Sequence, residues 1–189
     1  MKEIEILVEV YSSPEFVIKK LEQFECSGMQ ETIDTYYYDP LRANLKPNDE
    51  LEINECLRLR TKGNNNYITY KVDHFDDNGK WLYSDEYETK IDDIFIIRTI
   101  LEKLGLKNLL SIHNSKRIYH YQDYEIAFEI VEELGYFLEV EYCTNEDVDV
   151  VEVKKQIQSF INSLDIKVSE ELPMGKPEMI IKKNNISID

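Results

Sequence analysis

At 189 residues the chain is long enough to bury a substantial core, and it is read as one domain spanning residues 1–189. Its 22 lysines and arginines against 38 aspartates and glutamates give a net charge of −16. That balance repels nucleic-acid backbones and anionic membranes, so neither is expected as a partner. Thirteen tyrosines bias the chain toward β-structure and away from disorder.

The opening Met1-Lys2-Glu3-Ile4-Glu5 has no apolar signal region, and no later stretch reaches membrane-spanning length, so a cytoplasmic protein is expected. Residues 3–10 alternate Glu3 and Glu5 with Ile4, Ile6, Val8 and Val10, which is a strand. Ser12 and Glu15 form a capping box with Pro14 in the first turn. Phe16, Val17, Leu21 and Phe24 then give a helical stripe. Residues 32–38 read as a strand stopped by Asp39-Pro40, and the polar stretch around Lys46-Pro47-Asn48-Asp49 as a loop.

Arg58 and Arg60 alternate with Leu57 and Leu59 on the next strand. Gly63-Asn64-Asn65-Asn66 turns it into a strand holding Tyr67, Ile68, Thr69, Tyr70 and Lys71. Asp76-Asp77-Asn78-Gly79 marks another turn, and residues 81–89 another strand. Asp92 or Asp93 caps a helix carrying Ile96, Ile97, Ile100, Leu101 and Leu104, which Gly105 ends. Strands are expected over 112–121, 125–131 and 137–142, with Leu134-Gly135 turning the last two. A helix over about 146–164 carries Val150, Val153, Ile157, Phe160, Ile161 and Leu164. The polar tail after Ser169, with Pro173 and Pro177, is expected to pack loosely.

Eight or so hairpin-connected strands in a chain of this size favour a closed or nearly closed antiparallel β-barrel with flanking helices, an α+β fold. Successive strand residues point to opposite faces, so each pair of like charges projects from one face with an apolar layer behind it. A solvated sheet face would produce the same alternation. Parity leaves open whether the charges face inward, giving a polar tunnel, or outward around an apolar cavity. The amphipathic helices need an apolar sheet face to cover, which favours the charged interior. Glutamates near both ends of the chain, with basic residues between them, suit a metal-bound polyphosphate.

Other sites have weaker signals. His74, His113 and His120 lack metal-ligand spacing, and Tyr36-Tyr37-Tyr38 reads as strand packing. The odd number of well-separated cysteines, Cys26, Cys56 and Cys143, reads as reduced thiols, with Cys143 a small buried residue.

In order along residues 1–143, several motifs resemble the CYTH superfamily, the triphosphate tunnel metalloenzymes that include class IV adenylyl cyclases and thiamine triphosphatases. They are Glu3-Ile4-Glu5-Ile6, Asp34-Thr35-Tyr36-Tyr37, Leu57-Arg58-Leu59-Arg60 with Thr69-Tyr70-Lys71, Glu86-Tyr87-Glu88, Lys116-Arg117-Ile118-Tyr119, and the run from Glu129 through Glu139-Val140-Glu141. The resemblance implies an eight-stranded tunnel and a metal-dependent enzyme acting on a small triphosphate compound. Two reactions fit: ATP conversion to cyclic AMP, or hydrolysis of tripolyphosphate or thiamine triphosphate.

The resemblance also assigns roles. Glu3, Glu5, Glu129, Glu139 and Glu141 would hold Mg²⁺ or Mn²⁺. Arg58, Arg60, Lys71 and Lys116 would bind phosphate, the first three also serving catalysis. The chain departs from the pattern at Leu7 and Asn114, where the family carries lysine, and at Ser84, where many relatives carry arginine. These losses would weaken substrate binding, and lysine substitutions at 7 and 114 are expected to restore it. They also support an alternative, a weakened barrel that binds a phosphate compound or a protein. A monomer or a homodimer fits either reading.

Overall fold

The structure is a computed structural model and describes residues 1–186. Eight antiparallel strands close a barrel in the order β1-β5-β4-β3-β2-β6-β7-β8. In chain order they are β1 (Lys2–Glu9), β2 (Glu25–Tyr38), β3 (Glu55–Lys62), β4 (Asn65–Phe75), β5 (Trp81–Ile91), β6 (Lys107–Tyr121), β7 (Tyr124–Val131) and β8 (Gly135–Thr144). The α-helices among the described residues are α1 (Pro14–Leu21), α2 (Ile94–Lys103), α3 (Val150–Ser163) and α4 (Lys176–Asn184).

Alternation sorts each strand into two layers. Ile4, Ile6 and Val8 of β1, Ile126 and Phe128 of β7, and Leu138 and Val140 of β8 face outward. They are buried beneath Val17 and Leu21 of α1 and Ile157 and Ile161 of α3. Leu57 and Leu59 of β3 are covered by Leu101 of α2. Each such side chain contributes roughly 1.5–3 kcal/mol through burial. The apolar outer layer therefore commits the opposite parity, which carries the charges, to the lumen.

Local chemistry sets the helix starts. Ser13, rather than Ser12, caps α1 by accepting from the Phe16 amide. The Ser12 hydroxyl instead accepts from the Lys167 amide, because the segment after α3 runs alongside it. Asp93 caps α2 through the Phe95 and Ile96 amides, and Asp149 caps α3, which begins a few residues later than the periodicity suggests. β2 and β6 are longer than expected because they pair with each other along most of their length.

The seam of the barrel lies between β1 and β5, which pair only at Lys2↔Asp85 and Glu3↔Ser84. Beyond that point the chain after α3 takes up the β1 edge. The Ser169 amide donates to the Glu9 carbonyl, and the Leu172 amide to the Leu7 carbonyl, both at 2.9 Å. Glu171 pairs with Lys154 of α3 and with Lys80 beside β5, bracing the seam from outside.

The expectation of a loosely packed tail is therefore corrected. Residues 169–172 complete the barrel wall, and α4 closes one end of the lumen. Ile180 and Ile181 are buried against Leu7, Leu110, Ile112, Val131 and Phe137. Pro177 pre-sets the first turn of α4, and Asn185 ends it in the left-handed conformation with φ 49°. Lys183 and Asn184 then anchor the helix to Glu133 in the β7–β8 turn. The sequence disguises this helix because its apolar stripe is short and flanked by lysines.

Candidate active site

The charged residues of alternating parity converge in the lumen. Arg60 makes a two-pronged pair with Asp34 of β2, both contacts 2.7 Å. Arg58 lies 3.9 Å from the same carboxylate and 3.6 Å from Glu88, and donates to Thr69 Oγ1 at 3.3 Å. Lys71 sits between Glu3 at 2.6 Å and Glu86 at 3.0 Å. Lys116 is 2.7 Å from Glu129 and 3.6 Å from Glu139. Lys176, from the first turn of α4, lies 2.7 Å from Glu129 and 2.6 Å from Glu139. Each of these five cations is thus neutralised from within, and Glu129 is fully buried.

Three carboxylates gather on the β1–β8 side. Ligand oxygens of Glu3, Glu5 and Glu141 all lie within 4.8 Å of one another. The register explains this, since Glu5 and Glu141 are direct cross-strand partners and Glu3 is two residues along the same face. Burial opposes ionisation of Glu3, but the Lys71 ammonium overrides it and holds the carboxyl at about 2. Burial, reinforced by Glu139 and Glu3, pushes Glu5 well above the usual carboxylate range. Burial, with Glu3 and Glu139 adding to it, does the same to Glu141. Glu139 goes the other way: burial resists its charge, yet Lys116 and Lys176 hold it well below the usual range.

This donor set fits a hard divalent cation. It offers only oxygens, and the repulsion that lifts Glu5 and Glu141 is what a bound cation would relieve. The lumen wall also has polar capacity to spare. Arg58 Nε, Thr32 Oγ1 and Asn114 Oδ1 are buried and have no hydrogen-bond partner among the described residues. Such atoms are costly unless a ligand or water meets them.

At the end opposite α4, His120, Glu125, Glu141 and Cys143 border a cavity of about 230 Å³. Cys143 is exposed at this mouth rather than buried as expected, because it extends the lumen face of β8 past Glu141. Arg117 points outward, its guanidinium 3.6 Å from the Met29 sulfur. Ser84 faces inward and donates to Asp73 at 2.6 Å.

The CYTH domain family model matches residues 1–173. The chain belongs to the CYTH family. It is 30% identical over 166 residues to the "putative adenylate cyclase" of Methanocaldococcus jannaschii, covering 88% of this chain and 91% of that one. A Pyrococcus horikoshii protein of solved structure has a TM-score of 0.79 at 24% identity, covering 95% of this chain and 99% of that one. A Hippeastrum protein, described as a putative adenylyl cyclase with a dominant triphosphatase activity, has a TM-score of 0.63 at 15% identity, with coverage of 100% and 98%. Likeness at these identities to the two solved structures speaks for the fold alone.

All nine residues that the motifs single out for metal or phosphate lie on the lumen wall of this CYTH barrel. In the group of Glu3, Glu5 and Glu141, Lys71 holds Glu3 alone, leaving Glu5 and Glu141 without a salt bridge among the described residues, whereas Glu129 and Glu139 are held by Lys116 and Lys176. Sequence reasoning missed Lys176, and it used Asp34 only as a motif position. A signal for the former exists in Gly175-Lys176-Pro177, a helix start followed by Met179-Ile180-Ile181. Nothing local indicates that this helix enters a barrel.

Proposed function

We propose that this CYTH barrel is a metal-dependent cytoplasmic enzyme acting on a small triphosphate compound. The observation carrying the proposal is the division of the lumen into a crowded carboxylate group, Glu3, Glu5 and Glu141, and a line of cations facing it. Glu3, Glu5 and Glu141 would hold Mg²⁺ or Mn²⁺, with Glu129 and Glu139 as further oxygen ligands. Arg58, Arg60, Lys71 and Lys116 would hold the phosphates, joined by Lys176.

Substrate binding would exchange partners rather than fill a ready-made cationic hole. Engaging Glu3 with a cation would release the Lys71 ammonium from that carboxylate, now at 2.6 Å, and leave it with Glu86 at 3.0 Å as its one remaining salt-bridge partner among the described residues. Arg58, with one buried nitrogen still unpaired, is placed to donate to a phosphate oxygen without surrendering its other contacts. Lys71, Arg58 and Arg60 would then stabilise charge developing on the leaving oxygen. A bound divalent cation supplies phosphoryl polarisation and a nucleophile of lowered pKa. Water as nucleophile gives a triphosphatase, and the ribose 3′-hydroxyl of ATP gives a cyclase.

The description borne by the Methanocaldococcus jannaschii relative, "putative adenylate cyclase", supports the cyclase branch, and the triphosphatase branch follows from the same metal and phosphate apparatus with water as nucleophile. A second reading, a barrel that holds a phosphate compound without turning it over, is favoured by the internal pairing of the cations and the losses at Leu7, Ser84 and Asn114. Turnover of tripolyphosphate, thiamine triphosphate and ATP with Mg²⁺ or Mn²⁺, with product identification, separates these outcomes. Orthophosphate release marks hydrolysis, and cyclic AMP with pyrophosphate marks cyclisation. Binding without any product supports the second reading.

A further inference from the structure

α2 is apolar on two sides. Ile94, Ile97 and Leu101 pack onto the barrel, yet Ile96, Ile100 and Leu104 form a second stripe that is 57%, 46% and 71% exposed. Their i, i+4, i+8 spacing makes a ridge of the kind that seats in the groove of another helix.

The charges around this ridge say which helix. In a chain of net charge −16, residues 89–107 carry Lys90, Arg98, Lys103 and Lys107 against only Asp92, Asp93 and Glu102. This face therefore lacks the repulsion that would keep two copies apart elsewhere. The distribution along the helix is polar as well, with Asp92 and Asp93 at its start and Lys103 at its end. An antiparallel copy reverses that order and matches it. With a twofold axis beside Arg98, Ile96 meets Ile100 of the second copy, and Lys103 meets the Asp92–Asp93 end. The helix dipoles also oppose. The surface is thus complementary to itself, as a twofold interface must be.

We propose that α2 is the interface of a homodimer, formed by antiparallel packing of the Ile96–Ile100–Leu104 ridge of one copy on that of the other. This assignment is independent of the chemistry in the lumen.

Sedimentation velocity on the full chain tests it. The parent is expected to run as a concentration-dependent dimer. Ile100→Glu, at an exposed position, is expected to give a monomer with an unchanged circular dichroism spectrum. Lys103→Glu is expected to raise the dimer dissociation constant about tenfold, each charge pair counting twice, and adding Asp92→Lys to restore it. A parent that stays monomeric up to about 100 µM, well above the micromolar dissociation constants of specific protein interfaces, overturns the proposal. So does a dimer indifferent to both the Ile100→Glu and the charge-reversal variants.

Discussion

The Lys176 ammonium lies 2.6 Å from a Glu139 carboxylate oxygen, joining the last helix to the inside of the barrel. Glu139 is the cross-strand partner of Leu7, the position where the motif resemblance implies lysine. A cation delivered by α4 therefore occupies the neighbourhood where the resemblance implies one from β1. The same contact couples the α4 plug to the site, because Lys176 and the buried Ile180 and Ile181 belong to one short helix.

Removing that cation leaves Glu129 and Glu139 with Lys116 alone. Breaking a buried pair costs about 3–5 kcal/mol where no other partner remains. With Lys116 still present, Lys176→Met is expected to lose about 3 kcal/mol, read as a lower urea midpoint. Tripolyphosphate affinity should fall about tenfold by calorimetry, the equivalent of roughly one charge-assisted contact.

Glu5→Gln and Glu141→Gln should act in the opposite sense on stability. Both carboxyls are pushed up by burial and by their acidic neighbours, so a neutral amide relieves the metal-free lumen. Urea midpoints are expected to stay level or rise, while Mn²⁺ affinity drops about 100-fold. Because these groups must lose protons to bind a cation, Mn²⁺ binding by the parent should release protons. Calorimetric titration in buffers of different ionisation enthalpy measures that release.

Glu178 gives the fold its own pH dependence. Burial, with Asp73 nearby, pushes its carboxyl up to about 7 in the folded chain, against an ordinary 4.5. The folded chain therefore holds this proton more tightly than the unfolded chain. Its contribution is complete below about pH 4.5, declines as pH rises, and is lost above about 7. The loss amounts to at most about 3 kcal/mol. Glu178→Gln should match the parent near pH 4.5 and be more stable by about 2 kcal/mol at pH 8, as denaturant titrations across that range will show.

The two positions where the resemblance implies lysine are not equivalent. Leu7 is buried in the apolar cluster beneath α4, so Leu7→Lys places an ammonium among Val131, Phe137 and Ile181. It is expected to destabilise by roughly 2–4 kcal/mol rather than restore binding. Asn114 lies on the polar part of the wall with an unpaired oxygen, opposite Thr32. Asn114→Lys should fold and tighten tripolyphosphate binding, measured calorimetrically beside the parent.

The barrel and its inward charges were legible because strand parity is rigid. Ile4, Ile6 and Val8 require a covered face, and Glu3 and Glu5 inherit the other. The ordered motifs then located the phosphate end of the site. Lys176 was not legible, because its role depends on α4 crossing the barrel end, a tertiary event with no local signature. The pairing of the lumen cations was equally hidden. Arg60 and Asp34, or Lys116 and Glu129, meet through cross-strand register, which spacing along the chain does not reveal.

Calorimetric titration of tripolyphosphate into the parent, with Mn²⁺ and again with EDTA, tests the central claim most directly. Lys71, Arg58, Arg60, Lys116 and Lys176 are all engaged by carboxylates. The lumen should therefore accept a triphosphate only when a divalent cation takes over Glu3, Glu129 and Glu139, which now hold Lys71, Lys116 and Lys176. Micromolar binding with Mn²⁺ that weakens at least about 100-fold in EDTA is the predicted result, a difference of about 2.7 kcal/mol. Equal affinity in both conditions, or no binding in either, would contradict a metal-dependent triphosphate site.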